Sequence, residues 1–232
     1  MRAFSCLFLL SFVLTIHLSA CSTPPDPIDD GGIPIGACRL PFVGDPNAPM
    51  EVNIVAINPE YKLQPVEEGS GDSLMFPPQG GRVVFIGVRA RNVNPCGVRL
   101  SAALRDPVTK RVSLDNRIIN LQIAEDGYGQ CDVTRIDTFA NIPSCPNSFS
   151  SQDLMDVSYE LTVSLTDKDD RKFTKILQVT PHCDEPGRID ECRCICAADY
   201  ELGMACAELP DAGVSDAEPE DASAEPADAS GD

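Results

Sequence analysis

The stretch "DVSYELTVSLT", residues 156–166, alternates apolar and polar side chains more regularly than any other part of the chain. Val157, Tyr159, Leu161, Val163 and Leu165 fall on one side, and Ser, Glu and Thr residues fall on the other. Successive side chains of a β-strand point to opposite faces, so this alternation predicts a strand with one buried face. The turn "DKDD" follows it, and the stretch "RKFTKILQVTP" then predicts a hairpin partner.

Other segments show the same period. Residues 98–105 alternate apolar side chains with Arg99, Ser101 and Arg105, and the following "DPVTK" predicts a tight turn. The stretch "RVVFIGVRARNV" predicts a strand with Arg89 and Arg91 on one face and Val84, Ile86, Val88 and Ala90 on the other. "MEVNIVAI" and "RIINLQI" predict two more strands. Five to seven short strands without a long amphipathic helix predict an all-β fold, an antiparallel β-sandwich.

The closing pair of predicted strands also resembles a known family. Residues 158–181 are similar to the last hairpin of bacterial immunoglobulin-like and polycystin-type repeats, in which a Tyr-x-hydrophobic-x-hydrophobic strand precedes an Asp-rich turn. The resemblance implies an immunoglobulin-like sandwich, a fold that serves adhesion, recognition and spacing. The chain has no Trp, whereas true immunoglobulin domains carry a buried one, so the resemblance implies a fold class and no functional residue.

The N-terminus predicts export. Arg2 precedes an apolar run from Ala3 to about Leu18, which is shorter than a membrane-spanning helix, and small residues follow. "LSAC", residues 18–21, resembles the lipobox of bacterial lipoproteins. That resemblance implies a signal peptide over 1–20 and makes Cys21 the first mature residue, carrying a diacylglycerol and an acylated amine. No Asp follows Cys21, which in lipoproteins of enteric bacteria implies the outer membrane.

Composition divides the rest of the chain. Residues 21–48 are rich in Pro, Gly and Asp and predict a tether between lipid and domain. The predicted sandwich covers 49–182, and a Cys-rich module covers 183–206. Residues 207–232 hold nine acidic side chains and no basic one, and they predict a disordered acidic tail, either cation-attracting or simply solvated. The net charge is −18, and without a basic patch no nucleic-acid partner is expected.

Cysteines are the main chemical feature of the mature chain. Removal of Cys6 and lipidation of Cys21 leave Cys38, Cys96, Cys131, Cys145, Cys183, Cys192, Cys194, Cys196 and Cys206. In an oxidising compartment this count predicts four disulfides and one unpaired cysteine. Cys131 and Cys145 are candidates to close the aperiodic segment 131–155, which is either a ligand-contact loop or an insertion pinned for stability. The extended stretch "ECRCIC", 191–196, is expected to pair outside itself, with Cys183, Cys206 and one sandwich thiol.

Three motifs offer alternative chemistry. Thiolates of 192–196 with His182 are an alternative zinc or copper(I) site, although their spacing differs from the usual Cys-x2–4-Cys pairs. "GDSL", residues 71–74, spells an esterase nucleophile block at Ser73, but no apolar strand is predicted before it, and His182 is the only histidine of the mature chain. The acidic turn 167–170 lacks the glycine and distal Glu of an EF-hand.

These patterns together predict a lipid-anchored envelope protein with a non-catalytic binding or structural role. Its expected partners are the membrane, through Cys21, and an envelope or extracellular protein or glycan. No cofactor, metal or enzymatic activity is expected. An exported metal-handling or redox protein, or a hydrolase, is the alternative.

Overall fold

The computed structural model describes residues 38–206. The predicted signal peptide, Cys21, most of the tether and the acidic tail lie outside these residues. The described part is mostly β. The elements are β1 (Glu51–Ile57), β2 (Leu63–Pro65), β3 (Ser70–Ser73), β4 (Arg82–Arg91), β5 (Val98–Arg105), β6 (Val112–Ile119), β7 (Gln122–Ile123), β8 (Gly129–Gln130), β9 (Ala140–Cys145), β10 (Tyr159–Thr166), β11 (Lys172–His182) and the helix α1 (Ile189–Cys196).

The strands form two sheets. The first has the order β2-β1-β4-β8-β7, and β9 also pairs with β4. The second has the order β3-β11-β10-β5-β6. Strand β10 is paired along its length with β11 and β5, and its side chains alternate between buried and half-buried, as its sequence pattern predicts. The inward side chains of both sheets join in one hydrophobic core, which also includes Ile195 of α1.

The predicted all-antiparallel pairing has one exception, because β3 runs parallel to β11. Two strand predictions also change in detail. "RIINLQI" is divided: Ile119 ends β6 in the second sheet, whereas Gln122–Ile123 belong to the first. At the break, the Asn120 side chain accepts a hydrogen bond from the Gly97 amide, so the chain leaves the ladder there. In β4 both faces are largely buried, and Arg89 and Arg91 are the more exposed positions.

The centre of the first sheet depends on a glycine. A Cβ atom at Gly87 of β4 would lie 2.6 Å from the Phe139 ring and 3.1 Å from the Cβ of Cys131. Both neighbours are fully buried. Only glycine therefore lets the 131–139 segment pack directly on β4.

The prediction that 131–155 is a long loop is wrong in part. It contains a 3₁₀ turn at Ile136–Thr138 and the strand β9, whose side chains alternate toward the core. The predicted disulfide between Cys131 and Cys145 is also wrong. Cys145 bonds to Cys196, and Cys131 is a buried free thiol. The pairing follows from tertiary packing, since Cys131 lies against Gly87 while β9 extends toward α1.

The stretch "ECRCIC" is helical and not extended as expected, because it lies within α1. Asp190 and Glu191 stand in the first turn and Arg193 in the last, which matches the sign of the helix dipole at each end. Residues four apart share a helical face, so Cys192 and Cys196 both point into the core. Cys194 lies on another face and is less buried.

Candidate functional site

The candidate binding site is a groove of 380 Å³ on the outside of the first sheet. It is lined by Tyr61, Phe76, Pro77, Pro78, Phe85, Thr134 and Ile136. These residues come from the β1–β2 turn, the β3–β4 loop, β4 itself and the 131–139 segment. The segment 131–155, for which a ligand-contact loop was one of two predictions, thus contributes two of the lining residues.

The turn that carries Tyr61 is fixed by hydrogen bonds. The Asn58 side chain accepts bonds from the amides of Glu60 and Lys62, and the Tyr61 amide donates to the Asn58 carbonyl oxygen. Tyr61 has a φ of 56°, in the left-handed region that a non-glycine residue rarely adopts. Its side chain is 54% exposed. The turn therefore presents an aromatic ring to solvent on a rigid backbone.

Phe76 is held in place by two guanidinium groups. The Arg188 guanidinium lies 3.8 Å and that of Arg82 5.1 Å from the ring centroid, both in the range of cation–π contacts. The Phe76 amide donates a 3.1 Å hydrogen bond to Oε2 of Glu185. This wall of the groove is thus connected to the C-terminal segment.

Arg82 is the centre of that connection. Its side chain is buried and makes ion pairs with Glu185 at 3.3 Å and Glu191 at 3.2 Å, and it donates to the carbonyl oxygen of Arg188. Burial lowers the pKa of Arg82, and the two carboxylates oppose that change. A buried arginine requires such partners, so it ties α1 and the residues before it to β4.

Four disulfides make the described domain rigid. Cys38 is bonded to Cys96, so the chain that leads in from the tether is fastened to the loop before β5. The three cysteines of α1 each pair outside the helix. The pairs are Cys145–Cys196, Cys183–Cys192 and Cys194–Cys206. The unpaired Cys131 accepts a hydrogen bond from the Val88 amide, and burial raises its pKa to about 12, so its thiolate is suppressed.

The serine of the "GDSL" block, Ser73, is not hydrogen-bonded to His182. The Ser73 hydroxyl is buried and donates to Oδ2 of Asp184 at 3.0 Å. His182 lies beside Ser73 in the paired strand, but its Nδ1 hydrogen-bonds Oδ1 of Asp156 at 2.8 Å. In the esterase family the serine is activated by a histidine, whereas here Ser73 is bonded to a carboxylate and His182 to Asp156.

The unusual member of the block is Asp72. It is fully buried, and neither carboxylate oxygen has a hydrogen-bond partner within residues 38–206. Burial raises the pKa of Asp72 from 3.8 to about 7, while the charge of His182 opposes the rise. Asp72 is therefore a neutral acid in the core under mildly acidic conditions.

The "DKDD" turn is closed by its own first residue. The Asp167 carboxylate accepts hydrogen bonds from the amides of Asp169 and Arg171. It also forms an ion pair with the Arg171 guanidinium at 2.7 Å. Burial opposes ionisation of Asp167, but these bonds prevail and lower its pKa. The Asp167 carboxylate therefore stabilises the hairpin turn, and these contacts explain why an acidic residue stands at this position.

Sequence reasoning did not identify the groove. Tyr61 and Phe76 lie in aperiodic segments, and the run Phe76-Pro77-Pro78 is the only local signal of a rigid apolar surface. The contact of these residues with Ile136 depends on how three separate segments meet.

Comparison of the chain with protein-family models, with curated proteins and with solved structures finds no match. Within residues 38–206, no helix is both long and apolar enough to span a membrane.

Proposed function

We propose that this chain is a lipid-anchored protein of the bacterial cell envelope whose β domain binds a partner protein and catalyses no reaction. The leader and the "LSAC" box support acylation at Cys21, and the absence of Asp after it supports the outer membrane. Residues 21–37, the part of the predicted tether before the Cys38–Cys96 disulfide, would hold the domain away from the lipid surface. Several acyl chains on one residue give lasting attachment where one chain binds only marginally.

An immunoglobulin-like sandwich is the fold that fits this role, and the strand order supports it. The sequence β6-β5-β10-β11 in the second sheet corresponds to strands C′, C, F and G of a variable-type domain. In the first sheet, β1 pairs with β4 and β4 with β9, which corresponds to strands A, B and E.

A tyrosine at the start of β10 supports the same fold. In immunoglobulin-like domains a Tyr near the start of strand F donates from its hydroxyl to the backbone a few residues upstream. Tyr159 is the first residue of β10, is fully buried, and its hydroxyl donates to the Asp153 carbonyl oxygen at 2.8 Å. Leu161 stands where antibody domains have their second cysteine, so the core disulfide of those domains has no counterpart here.

The groove is the observation that carries the binding function. Its lining is aromatic and proline-rich, and the Thr134 hydroxyl already donates to Asp132 at 2.8 Å. Glycan recognition requires several well-placed polar groups, whereas extended proline-rich segments bind in aromatic-lined grooves. We therefore assign the groove to an extended, proline-rich or apolar segment of a partner protein.

Site-specific photo-crosslinking in intact cells tests this assignment. A benzophenone side chain replaces Tyr61, and the matched control replaces Ile176, which is similarly exposed, at 58% against 54%, on the second sheet. We expect a protease-sensitive adduct from position 61 and none from position 176, and we expect Pro78→Asp to reduce the adduct severalfold. Equal labelling from both positions, or an adduct that is removed by glycosidases alone, would contradict the assignment.

Metabolic labelling with a palmitate analogue tests the anchor. The wild-type chain should incorporate the label, and Cys21→Ala should not. Cys6→Ala is the matched control, because Cys6 lies in the segment that would be removed. Incorporation that persists in Cys21→Ala would rule out lipidation at this position.

A further inference from the structure

Four sulfur atoms from three segments converge where α1 meets the core. Cys145 is the last residue of β9, Cys183 follows β11, and Cys192 and Cys196 lie on one face of α1. The sulfurs of Cys183, Cys192 and Cys196 lie within 4.8 Å of one another, and Cys145 is bonded to Cys196. All four residues are buried. We refer to them as the sulfur cluster.

Two cysteines of the sulfur cluster have the sequence spacing of zinc ligands, which the run of three alternate cysteines had concealed. Zinc sites with cysteine ligands typically use Cys-x2–4-Cys pairs, and Cys192 and Cys196 form a Cys-x3-Cys pair once Cys194 is excluded. The structure excludes it, since Cys194 lies on another helical face and bonds to Cys206. Four thiolates from a helix, a strand end and a loop are the donor set of a structural zinc site.

The distances among the sulfurs of Cys183, Cys192 and Cys196 are close to those of tetrahedral coordination. Zinc–sulfur bonds of ~2.3 Å place the sulfurs of a tetrahedral site about 3.8 Å apart. The Cys192 and Cys196 sulfurs are already 3.9 Å apart. Breaking the two disulfides frees the sulfurs of each bonded pair to separate. The Cys145 sulfur, which is bonded to Cys196 and lies outside the group formed by the other three, must then move toward those of Cys183 and Cys192.

We propose that the reduced sulfur cluster is a tetrathiolate zinc site, so that zinc replaces two disulfides as the attachment of α1. Each disulfide accepts two electrons and two protons from a dithiol, which becomes a disulfide itself. Zinc then binds the four sulfurs and displaces their protons to solvent. In the oxidised form the same residues are covalently paired and bind no metal. This inference does not depend on the partner assigned to the groove.

Cobalt titration of the mature chain tests the site. The protein is reduced with dithiothreitol, desalted without oxygen and titrated with Co²⁺, whose tetrahedral thiolate complexes absorb in the visible region. We expect one Co²⁺ per chain, displacement by Zn²⁺, and no binding to the oxidised protein. Near-ultraviolet circular dichroism of the same samples reports whether the reduced chain remains folded with metal.

Matched variants identify the ligands. Cys192→Ser/Cys196→Ser should weaken zinc binding at least tenfold. Cys194→Ser/Cys206→Ser removes the neighbouring disulfide, which lies outside the sulfur cluster, and should leave affinity and stoichiometry unchanged. The proposal is overturned if reduced wild-type protein binds no cobalt, or if both double variants lose binding equally. It is also overturned if cobalt binds without the absorption of thiolate ligands.

Discussion

The buried carboxyl group of Asp72 makes stability depend on pH in a way that Asp72→Asn should remove. A carboxyl whose pKa is raised by folding remains protonated in the native state after the unfolded chain has lost its proton. Unfolding therefore releases a proton between the two pKa values, and the free energy of unfolding falls as pH rises through that window. The stabilisation is complete below the unfolded pKa of 3.8 and is lost by about pH 7.

The size of the effect follows from the two pKa values. A rise from 3.8 to about 7, at ~1.36 kcal/mol for each pH unit, corresponds to roughly 4 kcal/mol. Asparagine has nearly the same shape and does not titrate. The free energy of unfolding of Asp72→Asn relative to wild type should therefore increase by roughly 4 kcal/mol between pH 4 and pH 8, mostly below pH 7.

Urea unfolding with the disulfides intact, repeated at each pH unit, measures this difference. Contributions from titrating groups that do not interact with Asp72 are common to both proteins and cancel, and His182 is the group whose charge acts on Asp72. Asp199→Asn removes an exposed carboxyl group and is the control, for which the difference should stay flat. A flat difference for Asp72→Asn as well would refute the conclusion that this carboxyl group is buried without a partner.

Three further predictions concern the interior. Iodoacetamide should label no thiol of the native oxidised domain, and it should label one thiol, that of Cys131, after denaturation. Mass spectrometry counts the labels, and labelling of the native protein would contradict the burial of this thiol. Gly87→Ala should lower the free energy of unfolding by ~1–3 kcal/mol in urea titration, because the added methyl group overlaps the Phe139 ring. An unchanged free energy of unfolding would show that the 131–139 segment can move away from β4. Arg82→Met should lower the free energy of unfolding by ~1–3 kcal/mol, because the partly exposed carboxylates of Glu185 and Glu191 lose their buried partner. An unchanged unfolding midpoint would show that this ion-pair cluster does not hold the C-terminal segment.

Local patterns predicted some elements well. The alternation at 157–166 indicated β10 and its buried face, because a strand that is buried on one side records that side at every second residue. The same rule was less informative for β4, whose two faces are both largely covered. It missed β9, which has only six residues, includes Pro143 and places the polar Ser144 at a buried position.

The C-terminal cysteines show the limit of local patterns more clearly. Composition and the expected compartment predicted four disulfides and one free thiol, but no local feature separates Cys131 from Cys145. Their difference arises because Gly87 accommodates Cys131 while β9 delivers Cys145 to α1. The acidic first turn of α1 was a helix signal, but the cluster of three cysteines suggested an extended stretch instead.

Residues close together in the chain were enough to predict the β class and the number of half-cystines, and the expected leader with its "LSAC" box also rests on such local residues. Tertiary structure alone decided which sulfurs meet, that Asp72 is buried without a partner, and that Tyr61, Phe76 and Ile136 line one groove. Those features join residues tens of positions apart. Their proximity depends on strand order and register, which the periodicity of single strands does not encode.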